Sequence, residues 1–299
     1  MDALEFKKEI ENRTAALEQV ISKYLPKEEG RQQIIMEAMN YSLLSGGKRL
    51  RPMLMLEAYQ MFGGQEAVIE PFLAAIEMIH TYSLIHDDLP AMDDDAYRRG
   101  RKTTHVVYGE AMGILAGDAL LNFAFETAAK AFDLGSKPRQ TARAMQILAG
   151  KAGIYGMLGG QVVDVQNEGD KHLDGHTLSF IYRLKTGALI ESAMTIGAVL
   201  AGADENEVAI LEQAAGKVGV AFQIQDDILD VTSTLEELGK PVGSDEKNQK
   251  CTYVTMYGME AAKEQVEKLT QEAAACMESL PVHNEFLDSL FLYLTRRRS

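Results

Sequence analysis

Apolar residues recur at intervals of three and four along nearly the whole chain, the period of amphipathic helices. The pattern predicts helices over residues 1–24, 31–45, 66–89, 109–133, 139–158, 175–201, 205–231, 258–279 and 284–296. Ala, Leu, Met, Glu and Lys dominate these stretches, and all are good helix formers. Runs of alternating β-branched residues, the mark of strands, are missing. Breaks are expected at Gly46-Gly47, Gly63-Gly64, Gly135 to Pro138, Gly159-Gly160, Gly239 to Gly243 and Pro281. No low-complexity linker divides the chain, so residues 1–299 read as one all-α domain. Several stretches, such as "EAMGILAGDALLNFAFETAAKAF", are small and apolar on most sides. Such helices belong at the centre of a large bundle or at a subunit interface.

Composition narrows the possibilities. With 299 residues and 46% hydrophobic content, a sizeable core is available. The net charge of -14 argues against nucleic acid and anionic membrane surfaces as partners. An anionic substrate would need metal ions or local basic clusters to overcome that field. The two cysteines, Cys251 and Cys276, lie far apart with no CxxC. They fit a reducing, cytoplasmic compartment and exclude a disulfide framework or thiolate metal site. The first twenty residues are charged and amphipathic, unlike a signal peptide. No apolar run reaches the ~18–20 residues of a membrane span.

Against this background, "SLIHDDLPAMDDDAYRRG" stands out: an apolar helical run leads into five aspartates and two arginines. A second cluster, "AFQIQDDILDV", ends another apolar run. There, Asp226 and Asp230 are four apart and share a helix face, with Asp227 beside them. Two carboxylates one turn apart can hold a hard divalent cation through oxygen; unpaired, they repel. In the first cluster, Asp87, Asp88 and Asp93 follow a DDxxxxD spacing that a regular helix would splay. Pro90 disturbs the helix there, and a two-residue bulge after Leu89 would return Asp93 to the face of Asp87. If the two helices face each other, they form two walls able to hold metal between them. Solvated helix ends or salt-bridged caps are the plain alternative.

Basic groups are the second clue. Lys48, Arg49 and Arg51 follow the Gly46-Gly47 loop, and Arg98 and Arg99 follow the first acidic cluster. Lys185 and Thr186 lie in "RLKTG", Lys240 in "GKPVGSD" and Lys250 in "NQKCTY". Arg and Lys beside flexible glycines suit phosphate oxygens. The Gly46-Gly47-Lys48 segment lacks P-loop spacing. Carboxylate walls grip an anion only through metal, and Mg²⁺ is typically held by few carboxylates plus substrate phosphate. A diphosphate bridged by Mg²⁺, with an apolar tail among the apolar helices, satisfies both clues.

The segments "GGKRLRP", "IHDDLPAMDDDAYRRG", "KTG" and "FQIQDDILD", in this order over residues 40 to 255, resemble the signatures of trans-isoprenyl diphosphate synthases. Their sub-pattern is similar to that of the bacterial farnesyl diphosphate synthases. The resemblance implies the isoprenoid synthase fold, long helices around a deep central cavity, as a homodimer with three Mg²⁺ ions (Mn²⁺ being an alternative). It implies Asp87, Asp93 and Asp226 as direct metal ligands, with Asp88, Asp227 and Asp230 as ligands or as orienters of metal-bound waters and basic side chains. It assigns Arg98, Lys185, Thr186, Gln223, Lys240 and Lys250 to the allylic diphosphate. Lys48, Arg51, His80 and Arg99 fall to isopentenyl diphosphate. Small departures at Asp94, Ala96, Tyr97 and Lys102 touch the loop, not the assignment. The basic C-terminal "TRRRS" is either a closing tail or simply exposed.

The helix before Asp87 is expected to line the cavity for the growing chain. Ser83 lies one turn below Asp87, and Tyr82 lies ~7.5 Å down the axis. In the family, an aromatic residue there goes with a C15 product, which implies farnesyl over geranylgeranyl diphosphate. Tyr82 as a packed core residue is the alternative. Three rival functions stand beside this reading. A terpene cyclase is disfavoured by "DDILD" and the intact "GGKRLRP". A non-catalytic subunit of a heteromeric synthase is disfavoured because no aspartate or basic group is lost. A metal phosphohydrolase, suggested by the His86-Asp87 pair, lacks a completing histidine cluster.

Overall fold

The computed structural model describes residues 3–134, 137–170, 173–232 and 251–296. Lys240, Lys250 and the last three residues lie outside them. The periodic stretches form helices α1 (Ala3–Lys23), α2 (Gln33–Leu43), α3 (Leu50–Met61), α4 (Glu70–Asp87), α5 (Thr104–Tyr108), α6 (Glu110–Ala129) and α7 (Pro138–Ala152). They continue through α8 (Met157–Gln166), α9 (Gly175–Ile181), α10 (Ala188–Ala201), α11 (Glu205–Thr232), α12 (Tyr253–Tyr257), α13 (Met259–Glu278) and α14 (Glu285–Arg296). The strands among the described residues are β1 (Tyr97–Arg98) and β2 (Arg101–Lys102), an antiparallel ribbon in the loop after α4.

At the centre, α4 lies against α6, α10 against α3, α7 and α11, and α11 against α13. Phe72, Ile76, Met78 and Ile79 of α4 are fully buried with Leu54 and Met55 of α3 and Met194 and Ile196 of α10. Each such side chain contributes about 1.5–3 kcal/mol. Local chemistry sets the ends of α4. Pro71 occupies its first turn, where no amide donor is missed. Pro90 disfavours helical backbone at Leu89 and stops it.

Ala67–Asp87 and Gly175–Ala201 are long and apolar enough to cross a membrane, but 78% and 83% of an 18-residue apolar window in each is buried inside the protein. They are core helices. The second of these is interrupted by a π-helical turn at Tyr182–Gly187, a wide turn often found at functional sites.

Two expectations from the glycine pattern need correction. Gly159-Gly160 does not break a helix; it lies inside α8, and the break falls at residues 153–156. Gly160 serves close approach instead, since a Cβ there would lie 2.3 Å from the Lys185 amide nitrogen. In addition, α3 (residues 50–61) and most of α8 (residues 159–166) are helical where no helix was expected. Both begin right after glycine-rich turns, which hide their short periods.

Gly197 makes the same kind of contact between α10 and α3, where a Cβ would meet the Met55 carbonyl oxygen at 2.3 Å. Gly197→Ala is therefore expected to cost ~1–3 kcal/mol through overpacking, read as a lower midpoint in denaturant unfolding. An unchanged midpoint would show that the crossing is looser than described.

Candidate active site

A cavity of about 870 Å³ opens between α4, α8, α11, the π turn and the loop ahead of α3. Its shape depends on loops with unusual backbone. Gly46 and Gly47 have φ of 85° and 135°, which only glycine adopts freely. A Cβ on Gly47 would also lie 2.7 Å from the Arg99 guanidinium. Arg49, Asp94 and Arg99 are the non-glycine residues with positive φ among the described residues. All three sit in the loops around this mouth, and such strain tends to gather at functional sites.

The acidic residues divide by position. Asp87 on α4 and Asp226 on α11 both line the large cavity. The loop after α4 doubles back, and the Asp93 amide donates to the Asp87 carbonyl at 2.9 Å. Asp93 lines a smaller adjoining cavity of about 140 Å³, together with Asp164 and Asp227. Burial pushes the Asp87 carboxyl up to about 6; Lys185 opposes the shift, and Asp93 and Asp88 add to it. Gln161 donates to Asp87 at 2.8 Å. Asp88 is buried and accepts from Arg98 Nε at 2.8 Å, so it orients that guanidinium. Asp227 accepts from the Tyr182 hydroxyl at 2.5 Å and from the Tyr253 amide at 2.9 Å. Asp230 is buried and is not among the residues lining either cavity.

This donor set fits a hard divalent cation. It offers carboxylate oxygens on facing helices, and Asp87 is disfavoured as an anion without a positive partner. Among the described residues, no group of three or more metal-ligating side chains is already assembled. Any cation here would therefore draw further oxygens from elsewhere, as Mg²⁺ does from phosphates.

The same cavity is rich in basic groups. Lys48, Arg51, His80, Arg98 and Arg99 all line it. Burial lowers the Arg51 guanidinium to about 10, with Glu77 opposing and Arg99 adding. Among the described residues, buried Arg51 Nε has no hydrogen-bond partner. A buried donor in that state favours an incoming anion. His80 is held well below its ordinary range by burial and by Arg51, Arg99, Arg98 and Arg49, so it is neutral. Arg49 itself is buried, donating to Glu77 at 2.7 Å and to the Leu43 carbonyl at 2.8 Å. It braces the loop.

The π turn adds Lys185 and Thr186 to the lining. Lys185 Nζ lies 2.5 Å from Asp164, and the Thr186 hydroxyl donates to Gln223 at 2.7 Å. Lys185, Thr186 and Gln223 border both cavities, while Tyr82 and Ser83 line only the large one. Gln161, Asp164, Glu77 and Tyr182 were not singled out in the sequence. The first two lie three apart on α8, and that spacing was available once residues 157–166 were read as helix.

Residues 32–283 match the family model "Polyprenyl synthetase". The chain belongs to that family. It is a trans-prenyltransferase with the isoprenoid synthase fold. It is 46% identical over 251 residues, 84% of each chain, to farnesyl diphosphate synthase of Geobacillus stearothermophilus. It is 44% identical to geranylgeranyl diphosphate synthase of Cyanophora paradoxa, covering 87% of this chain and 86% of the relative. A solved geranyltransferase from Helicobacter pylori, complexed with magnesium and isoprenyl diphosphate, superposes with a TM-score of 0.83. That match is 31% identical and covers 96% of this chain and 95% of the other.

The raised Asp87 carboxyl fixes a pH dependence. Its folded value of about 6 lies above the ordinary 3.8, so its contribution to stability is fully present below the latter and is lost as pH rises through the former. In EDTA, Asp87→Asn is therefore expected to gain stability relative to wild type as pH rises from about 4 to about 7, read as urea midpoints. Parallel midpoints across that range would contradict the assignment.

Proposed function

We propose that this prenyltransferase condenses isopentenyl diphosphate head-to-tail with dimethylallyl and then geranyl diphosphate, giving farnesyl diphosphate (C15). The observation that carries the chain length is Tyr82, 6% exposed and lining the cavity on the same helix as Asp87. A growing chain whose diphosphate is held at Asp87 meets this ring below. The geranylgeranyl relative at 44% identity favours a C20 product as the second reading.

Arg98, Lys185, Thr186 and Gln223 hold the allylic diphosphate in this proposal, and Lys48, Arg51, His80 and Arg99 hold isopentenyl diphosphate. Asp87, Asp93 and Asp226 hold Mg²⁺, three ions by analogy with the family. The magnesium-bound relative and the oxygen-donor walls support that assignment. When bound, the metal supplies Lewis-acid stabilisation of charge on the departing diphosphate. The basic groups add fixed electrostatic stabilisation there. The allylic C–O bond breaks, and the double bond of isopentenyl diphosphate attacks the resulting cation. The new carbon–carbon bond then forms, and a proton passes to the released diphosphate. Tyr82, Met157, Leu158 and Phe222 keep water from the cation. A homodimer accompanies the proposal, supported by apolar residues exposed on and beside α6 and α8, among them Leu115 at 51% and Tyr155 at 85%.

The test is to incubate purified protein with Mg²⁺, isopentenyl diphosphate and dimethylallyl diphosphate, then size the dephosphorylated products. Wild type is expected to stop at C15 and Tyr82→Ala to run on to C20 and beyond, in a particle of two chains by light scattering. Phosphate release without chain growth would overturn the reaction. Wild-type C20, or an unaltered Tyr82→Ala profile, would overturn the length assignment, and a single-chain particle the dimer.

A further inference from the structure

The length stop has a second ring. We infer that His86 is a positioning residue that pins Tyr82, so that product length is set by the pair; this rests on the reading of Tyr82 as the floor. His86 lies four residues after Tyr82 on α4 and lines the same cavity. Helical side chains lean toward the N-terminus, which carries the imidazole over the turn that holds Tyr82. The two rings meet edge to face, with centroids 5.9 Å apart and planes at 83°.

The imidazole is itself fixed from the other side. Its Nε2 lies 3.0 Å from the Ile114 carbonyl on α6. A carbonyl only accepts, so Nε2 carries the proton and donates it. Asp118 approaches the same nitrogen at 3.8 Å. The ring sits in a notch that α6 leaves at Gly117, where a Cβ would be 2.0 Å from Nε2 and 2.3 Å from Cδ2. No hydrogen bond among the described residues fixes the Tyr82 hydroxyl, so packing holds that ring, and the imidazole edge is part of the packing. Without it, the phenol has room to swing toward the vacated notch, and the floor opens.

Two substitutions therefore act with opposite sign. His86→Ala removes the pin and lengthens the product, raising the share of C20 and longer by about fivefold, the scale of a lost ring pair. Gly117→Ala evicts the imidazole from its notch toward the cavity, shortens the room and raises the C10 share. A histidine that merely packed α4 against α6 would lower stability in both variants and leave product length alone.

The experiment sizes the products of His86→Ala, Gly117→Ala, His86→Gln and Tyr82→Ala side by side with wild type. His86→Gln keeps a donor that reaches Ile114 from the place of Nε2 but has no ring, so it is expected to lengthen the product as alanine does, even if Gly117→Ala fails to fold. If Tyr82→Ala lengthens the product while His86→Ala keeps the wild-type profile, the pin is overturned and the floor stands. A wild-type profile in His86→Gln alone would assign the effect to the hydrogen bond and overturn the ring contact. If Tyr82→Ala itself changes nothing, the floor falls and the pin falls with it.

Discussion

Carboxylates that face one hollow from two helices are the constraint on which the site depends. Asp87 closes α4 at its C-terminal end, and Asp226 lies near the C-terminal end of α11. Helix C-termini already carry partial negative charge, so acids there add to a field that repels them. Burial raises the Asp87 carboxyl further. A chain that keeps such an arrangement holds a place for positive charge. Two neighbouring acids are met from within the fold, Asp88 by Arg98 and Asp227 by Tyr182 and the Tyr253 amide.

Both signs of charge line the cavity. Asp87 and Asp226 share it with Lys48, Arg51, Arg98 and Arg99 and, from the π turn, Lys185. Glu77 pairs with Arg49, while Arg51 and Arg99 line the cavity beside it. His80 stays neutral among four arginines and so offers a hydrogen bond without adding repulsion. This arrangement lets a protein of net charge -14 bind a polyanion: the local field, with metal, outweighs the global one.

Much of this was legible in the sequence. Long helices with a clear period, α1, α13 and α14 above all, follow their apolar spacing, while α4 and α6, apolar on most sides, show through their unbroken runs of apolar residues. Asp87, Asp226, Lys48, Arg51, Arg98, Lys185 and Gln223 do converge on one cavity. What was hidden has physical causes. Gly160 was read as a breaker because sequence shows a missing side chain, not the backbone packed against it; α8 was lost with it, and so were Gln161 and Asp164. The π turn carries no period of its own. The roles of Glu77 and Tyr182 arise from contacts across the fold, Glu77 with Arg49 and Tyr182 with Asp227. No local pattern announces such pairs.

The central claim is that the acidic walls grip diphosphate only by way of an intervening cation. Isothermal titration of the full chain with inorganic pyrophosphate, once in Mg²⁺ and once in EDTA, tests it most directly. The account predicts binding in Mg²⁺ that weakens by about a hundredfold or more in EDTA, the scale expected when buried charge loses its partner. Equal affinity in the two buffers would contradict it.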